Sequence, residues 1–219
     1  PSDLGNGLPH RLTAPARTAT ALGPFDVALV SHDQHPDNLD TSGRALLADT
    51  PHVLTTTEGA ARLGGHTRGL APFETIEIGP LTITALPAQH GPDGAETVLG
   101  PVIGFLLSGD DVPTVYVSGD NASVGVVREI AARVGPVDVA LLFAGGASSP
   151  RYFDGALLTL GSAEAVEAAQ LLQARAVVPI HCDGWSHYSQ DRATLTRAFV
   201  DAGLGDVLVT VPDGASVTL

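Results

Sequence analysis

Four apolar segments of this chain end in the same kind of polar group, and this pattern most constrains the fold. Each segment has the composition of a buried strand, and histidine or aspartate beside glycine or proline follows at once. A sheet holds its strand ends rigidly while the loops expose side chains there, so the pattern predicts one shared polar site. The four stretches are VALVSHDQHPDN at 27–38, TALPAQHGP at 84–92, VYVSGDNA at 115–122 and AVVPIHCDGW at 176–185.

The polar groups at these strand ends have the chemistry of metal ligands. Imidazole nitrogens and carboxylate oxygens bind zinc, iron and manganese. A single loop of aspartate, asparagine and histidine is also typical of a turn or a helix cap. Three separate histidine groups and a strand-end aspartate favour a metal site instead. The candidate ligands are His32, His35, Asp37, His90, Asp120 and His181.

Strand-like and helix-like segments alternate along the chain. Alternation of apolar and polar residues predicts a hairpin at 74–91 and a second hairpin at 102–122. Hairpins followed by strand–helix–strand units, with no linker between them, predict one layered α/β domain over 1–219 with a loop-like segment at 1–23. Further strands are predicted at 25–31, 52–56, 137–145, 176–181, 206–212 and 215–219, and helices at 38–49, 58–65, 123–134, 162–175 and 192–203.

The charge of the chain bears on its partners. The formal net charge is −13, and all 11 basic side chains are arginines. This balance argues against binding to nucleic acid, which needs clustered cations, but it leaves room for a small anionic substrate because a metal supplies local positive charge. No apolar run reaches the roughly 18 residues of a membrane span. The single cysteine, Cys182, cannot form an intrachain disulfide, so we expect a reducing, cytoplasmic location.

The order of these motifs resembles the metallo-β-lactamase superfamily, and more narrowly the branch that contains L-ascorbate-6-phosphate lactonase. That family has a His-x-His-x-Asp-His loop after a strand, then a single histidine, an aspartate in Ser-Gly-Asp and a histidine after Pro-Ile. Each motif alone is a weak signal, and the ordered set over about residues 24–188 carries the resemblance. The matching stretches here are SHDQHPDN at 31–38, PAQHGP at 87–92, YVSGDN at 116–121 and PIHCDGWSHY at 179–188.

The resemblance implies an α/β fold of the αββα sandwich type, in which two mixed sheets pack face to face with helices outside. It also implies a divalent metal cofactor, one or two ions, with zinc first and manganese or iron as alternatives. The family has a pair of opening strands before its first motif, whereas only residues 1–24 precede the first strand here. We therefore expect this chain to lack the opening strands and to be truncated within its N-terminal segment.

The first loop departs from the family motif. If His32 is the first histidine, Gln34 stands at the second histidine and Pro36 at the aspartate. A register shifted by one residue matches His35 and Asp37 instead, and a local insertion keeps His32, His35 and Asp37 together. We favour the insertion because it retains three ligands. In every register the last histidine of the family loop, which helps to hold a second metal, is missing.

A bound metal would give this chain the chemistry of a hydrolase. A divalent ion lowers the pKa of coordinated water to about 7 and polarises the bond under attack. Asp37 is the predicted catalytic residue, which orients or deprotonates that water, and Asp120 bridges or holds the metal. The expected substrate is a small molecule with an ester, lactone or phosphodiester bond. Trp185 and His187, in the loop after the last motif, are predicted to bind substrate, as is Arg68.

Two other interpretations are open at this point. Gln34, Pro36 and Asn38 in the first loop favour a degenerate member of the family, which binds or regulates without catalysis. A structural acidic protein with incidental histidines is the third interpretation, and the ordered motifs argue against it. Assembly into a homo-oligomer is compatible with the sequence.

Overall fold

Two β-sheets lie face to face at the centre of the molecule. The computed structural model describes residues 9–219. The smaller sheet has the strand order β1–β2–β3, and both pairs of neighbours are parallel. Valine, leucine and threonine recur in these short strands, and such residues suit a pleated, half-buried surface. The strands span Val27–Leu29 (β1), His52–Thr56 (β2) and Thr67–Leu70 (β3).

The larger sheet contains six strands that lie side by side in chain order. Its first four strands pair antiparallel, and its last three pair parallel. The predicted hairpins at 74–91 and 102–122 are confirmed by this pairing. The strands span Thr75–Ile78 (β4), Leu81–Pro87 (β5), Ile103–Gly109 (β6), Val112–Val117 (β7), Val139–Phe143 (β8) and Ala176–Ile180 (β9).

Apolar side chains fill the space between the two sheets. Leu54 and Leu70 of the smaller sheet share a buried cluster with Ile83, Ala85 and Phe105 of the larger one. Ile83 and Ala85 are two residues apart, so the period of a strand places both on the face toward the smaller sheet. Each large aliphatic or aromatic side chain buried in this layer contributes about 1.5–3 kcal/mol to stability.

Helices cover the outer face of each sheet. The covering helices are Thr41–Ala48 (α2), Thr57–Leu63 (α3), Val124–Val134 (α5), Ser162–Leu171 (α6) and Arg192–Asp201 (α7); two short helices, Ala19–Leu22 (α1) and Glu96–Leu99 (α4), lie in connecting segments. On the larger sheet, Ile130 of α5, Ala168 of α6 and Phe199 of α7 share one buried cluster with residues of β7 and β8. On the smaller sheet, Leu47 of α2 and Leu63 of α3 pack with β2. The predicted αββα sandwich is therefore confirmed.

Polar side chains cap the first turn of five of the described helices, and three of them show the pattern. Asp40 accepts a hydrogen bond from the Gly43 amide at 2.7 Å, Ser123 caps α5 in the same way, and Asp191 caps α7. Such a cap satisfies one of the amides that the first helical turn leaves unpaired. The boundaries of α5 and α7 therefore follow from the local sequence.

The described residues correct two expectations about the sheets and the N-terminal segment. The smaller sheet is parallel throughout, so only the larger sheet is mixed. The segment 1–23 is not wholly loop-like, because α1 lies within it, while residues 1–8 fall outside the described part of the chain. Within residues 9–26, the structure contains no strand before β1.

The two strands predicted at the C-terminal end are wrong. A single 3-10 turn occupies Gly205–Val207, and Leu208 then forms only an isolated bridge to Val177 of β9. Pro212 has no amide hydrogen and Gly214 turns the chain with φ 78°, so neither can continue a ladder. Residues 215–219 are exposed and carry no strand pairing. Alternating apolar residues were therefore an insufficient signal, because the segment makes only this one bridge to the free edge of β9.

Candidate metal centre

Strand direction brings the candidate ligands to one edge of the larger sheet. β5 and β7 run the same way because both pair antiparallel with β6, and β9 runs parallel to β7 through β8. His90, Asp120 and His181 follow the carboxyl ends of these three strands. His32 and His35 reach the same edge in the loop after β1.

The loop after β1 crosses from the smaller sheet to the larger one. The Val30 amide donates to the Leu54 carbonyl at 2.9 Å, and the Ser31 carbonyl then accepts from the Ile103 amide at 3.1 Å. Gly119, beside this crossing, has φ 58°, and a Cβ atom there would lie 2.6 Å from the Ile103 carbonyl oxygen. Glycine is therefore required where the loop and the end of β7 approach each other.

His32, His35, His90 and Asp120 form the first ligand group. One nitrogen or oxygen atom of each lies within 4.8 Å of those of the other three. His35 Nδ1 is 3.0 Å from His32 Nε2 and 3.2 Å from His90 Nε2, and Asp120 Oδ2 is 3.8 and 3.7 Å from the same two Nε2 atoms. The ligand atoms of a tetrahedral zinc ion lie about 3.3 Å apart, because each Zn–N bond is about 2.0–2.1 Å long. The group therefore has the spacing of a four-coordinate site.

Asp37, Asp120 and His181 form the second ligand group. His181 Nε2 lies 3.5 Å from Asp37 Oδ2 and 3.6 Å from Asp120 Oδ1. His181 Nε2 and Asp120 Oδ1 are buried without a hydrogen-bond partner, although buried polar atoms are normally paired. Asp120 turns one carboxylate oxygen to each group and can bridge two ions. A divalent metal fits the first group by the spacing of its ligand atoms, and it fits the second because it would satisfy these orphaned atoms.

The backbone of His181 is in an uncommon conformation. Its φ of 54° lies in the left-handed region, which costs a residue with a Cβ atom about 1–3 kcal/mol. Backbone of this kind persists where the surrounding structure fixes it and is concentrated at functional sites. Here it carries the imidazole from the end of β9 toward both carboxylates.

Hydrogen bonds outside the ligand groups orient the imidazoles. His90 Nδ1 donates to the Leu158 carbonyl at 2.7 Å, which leaves Nε2 free to bind a metal. His32 Nδ1 is 3.0 Å from the Ser31 hydroxyl, which donates in turn to Asn38 Oδ1 at 3.3 Å. Asn38 Nδ2 donates to the His32 carbonyl. Asn38, at the position of the missing histidine, therefore supports a ligand instead of acting as one.

A buried ion pair, absent from the sequence predictions, also holds the metal loop. Asp33 has 3% of its side chain exposed and accepts from Arg62 Nε at 3.0 and 3.1 Å. Arg44 donates to the Asp33 carbonyl. Arg62 lies in α3 and is 29 residues from Asp33, so no sequence motif connects them. Asp33 lies between the ligands His32 and His35 in the chain, so its immobilisation restrains the path of the loop that joins them.

A cavity of about 260 Å³ opens onto both ligand groups. The carboxylates of Asp37 and Asp120 lie at its floor, together with His35, His90 and His187. Its volume is below the roughly 300–1,000 Å³ of sites for drug-sized ligands. The cavity therefore suits a small molecule.

Comparison with known proteins agrees with this arrangement. Residues 3–182 match the family described as beta-lactamase superfamily domain, which is more than half of the chain. The chain belongs to this family. A relative from Pyrococcus horikoshii, named UPF0173 metal-dependent hydrolase, is 30% identical over 180 residues, which are 80% of this chain and 75% of the relative. The superfamily resemblance of the motifs is thus confirmed, while the narrower lactonase branch stays a prediction.

Solved structures share the fold of this beta-lactamase superfamily protein. An isothiocyanate hydrolase from Delia radicum gut bacteria superposes with a TM-score of 0.75 and 20% identity, covering 89% of this chain and 76% of that one. Igni18, a metallo hydrolase from Ignicoccus hospitalis, superposes with a TM-score of 0.72 and 21% identity, covering 92% and 84%. At such identities the similarity concerns the fold, and it agrees with the αββα layers.

The ionisation of the ligand groups suits cation binding in this family member. Burial lowers the pKa of His32 to about 4, so the imidazole is neutral and its Nε2 lone pair is available. Burial raises the pKa of Asp37, but the neighbouring imidazoles of His181 and His187 outweigh it and hold the pKa of this carboxyl far below its usual range. Burial also opposes ionisation of Asp120, and the neighbouring histidines again lower its pKa. Both carboxylates are therefore charged at neutral pH.

The structure brings the six candidate ligands together, but it separates the three predicted substrate-binding residues. His187 lines the cavity, and its Nε2 lies 3.0 Å from Asp37 Oδ2. Trp185 stands outside the cavity lining, with its ring 5.2 Å from the Arg11 guanidinium. Arg68 is on β3, where it pairs with a nearby glutamate at 3.1 Å and does not line the cavity. The expectation that Arg68 reaches the substrate is therefore not met, because its strand places it elsewhere.

Proposed function

We propose that this chain is a metal-dependent hydrolase of a small-molecule ester, lactone or phosphodiester. The two ligand groups that share Asp120 beneath a small cavity carry this proposal. The relatives named metal-dependent hydrolases add support. Zinc suits the histidine-rich first group best, and manganese or iron are the alternatives.

The arrangement assigns a role to each side chain. His32, His35 and His90 would hold one ion and Asp37 and His181 a second, with Asp120 between them. When bound, a divalent ion supplies positive charge that polarises the scissile bond and lowers the pKa of coordinated water.

We infer that Asp37 orients the attacking water and accepts its proton. His187 Nε2 lies 3.0 Å from Asp37 Oδ2, and this contact would hold the carboxylate toward the cavity that both residues line.

Metal content per chain tests the proposal directly. We expect one or two equivalents by elemental mass spectrometry of protein purified without chelators or a histidine tag. His90→Ala and His181→Ala should each lose metal while the far-ultraviolet circular dichroism spectrum is preserved. His52→Ala is the matched control, because His52 is an exposed residue of β2. Full metal content in both site variants would show that the assigned ligands are wrong.

A second candidate function is a non-catalytic binding or regulatory module. Asn38 favours it, because this side chain bonds to the loop and leaves the second group with three protein ligands. Metal-loaded protein that hydrolyses neither esters, lactones nor phosphodiesters would support this candidate over the hydrolase.

The proposal includes partners and location. We propose a small-molecule substrate, no nucleic acid or membrane partner, and a cytoplasmic location, and we leave open assembly into homo-oligomers. Within residues 9–219, no helix is long and apolar enough to cross a bilayer.

A further inference from the structure

The cavity above the metal centre is free of cationic side chains. Among the residues that the structure describes, no arginine lines it, and the sequence contains no lysine. Arg11 pairs with Asp40 at 3.4 Å, away from the cavity, and Arg151 is exposed and not part of the lining. The charged side chains at the floor are the carboxylates of Asp37 and Asp120. A substrate anion far from the metals would therefore meet no compensating charge.

Three of the backbone amides along the cavity wall are already used within the protein. The Ala147 amide donates to the Thr159 hydroxyl at 2.9 Å, and the Ser148 amide donates to the His187 carbonyl at 3.1 Å. The Leu158 amide donates to the Ala147 carbonyl at 2.7 Å. These three amides cannot bind an anionic group of a substrate without breaking a native hydrogen bond.

The same wall offers an apolar surface. Leu99, Ala147 and Leu158 are at most 7% exposed and belong to one buried cluster, and each also lines the cavity. Tyr152, at 42% exposure, adds an aromatic side chain toward solvent. Apolar surface of this kind favours hydrocarbon over charged groups, because burying an unpaired charge forfeits its hydration.

We propose that the substrate is an uncharged ester or lactone whose acyl group is small and apolar. This inference rests on the proposed hydrolase function and selects among its substrates. The acyl chain lies against Leu99, Ala147 and Leu158, and the carbonyl carbon faces Asp37 and Asp120. Water gives up one proton to Asp37 as its oxygen bonds to that carbon, the C–O bond to the leaving group breaks, and the departing alkoxide takes up that proton. The acyl part leaves as a carboxylate and its proton passes to solvent; in a lactone, both products stay in one molecule. Phosphodiesters are disfavoured, because an arginine or lysine commonly assists the metals in neutralising the charge on the phosphoryl oxygens.

Two substrates that differ in the charge of the acyl chain test the inference on the zinc-reconstituted full chain. The neutral member is 4-nitrophenyl hexanoate, and the anionic member is mono(4-nitrophenyl) adipate, whose acyl chain ends in a carboxylate. We expect kcat/KM for the hexanoate to exceed that for the adipate by at least about 100-fold, since burial of an unpaired carboxylate is unfavourable. Each methylene added from acetate to hexanoate should raise kcat/KM by about fourfold until the cavity is filled. Bis(4-nitrophenyl) phosphate should be the poorest of the substrates.

Substitution of Tyr152 tests whether the absence of a cation causes the preference for the uncharged hexanoate over the adipate. Tyr152→Arg should improve adipate hydrolysis at least tenfold relative to hexanoate, because it places a guanidinium at the mouth. Tyr152→Gln is the control, which changes size and polarity without charge and should leave the ratio within about threefold of the wild-type value. An equal improvement in both variants would show that the charge is irrelevant.

The outcomes separate this inference from the hydrolase proposal. If the adipate or the phosphodiester is hydrolysed as well as the hexanoate, the substrate class is wrong and the hydrolase stands. If metal-loaded protein hydrolyses nothing, the hydrolase proposal fails, and ligand binding then decides the class. Saturation-transfer nuclear magnetic resonance with hexanamide and adipamic acid should show contact for hexanamide alone, and preferential contact for adipamic acid would overturn the inference.

Discussion

Replacing Arg62 with alanine tests whether the metal loop depends on its buried ion pair. The variant leaves the Asp33 carboxylate, which is 3% exposed, with Arg44 Nη2 at 3.8 Å as its remaining partner. Removing one partner of a fully buried pair costs about 3–5 kcal/mol. The side chain of Arg62 is 42% exposed and Arg44 remains, so we discount this to about 2 kcal/mol.

The effect should extend to metal binding. Asp33 lies between His32 and His35, so greater freedom of the loop should weaken metal affinity about tenfold to a hundredfold. Urea unfolding with and without metal measures the first effect, and competition with a chelator measures the second. Asp33→Asn in the Arg62→Ala background should recover part of the stability, because it removes the unpaired charge.

An exposed ion pair of similar length provides the control. Arg175 Nη1 lies 3.0 Å from Asp138 Oδ1, but the Arg175 side chain is 82% exposed. Arg175→Ala should therefore change the free energy of unfolding by less than about 1 kcal/mol. The reasoning fails if Arg62→Ala matches Arg175→Ala in stability and retains wild-type metal affinity.

Two further substitutions test the crossing of the loop after β1. Gly119→Ala should lower the stability by about 2 kcal/mol and should also lower the metal content. The reason is that φ is 58° and the new Cβ atom would lie 2.6 Å from the Ile103 carbonyl oxygen. Thermal unfolding measures the first effect, and elemental analysis measures the second. Asn38→Ala should weaken metal affinity about tenfold in a chelator competition, because it removes the hydrogen bond to the His32 carbonyl and the acceptor of the Ser31 hydroxyl. Unchanged affinity in Asn38→Ala would show that this amide has no part in positioning the ligands.

Several errors of prediction have a common physical cause. The C-terminal segment 206–212 has the alternation of a strand, yet it forms one bridge, to Val177, because Pro212 and Gly214 follow and no further strand pairs with it. Arg68 was assigned to the substrate by its charge, but its position on β3 gives it a glutamate partner instead. Local composition shows which structure or contact a segment is able to form, and its tertiary partners determine which one it forms.

Asn38 illustrates a different limit of prediction from sequence. In the motif, the missing histidine reads as a lost metal ligand. In the fold, the side chain bonds to the carbonyl of His32 and to the hydroxyl of Ser31. The substitution therefore exchanges a ligand for a support of the first group, a distinction that sequence alone cannot make because it depends on the path of the loop.

The sequence implied the αββα layers through its resemblance to the superfamily, and by itself it predicted a layered α/β domain and the six candidate ligands. It could do so because each ligand follows an apolar strand, and strands with the same direction end at the same edge of a sheet. Tertiary structure alone decided that Asp120 faces both ligand groups, that Arg62 of α3 neutralises Asp33, and that no arginine is among the described residues of the cavity wall. These features depend on contacts between residues far apart in the chain, and only packing of the two sheets and their helices fixes such contacts.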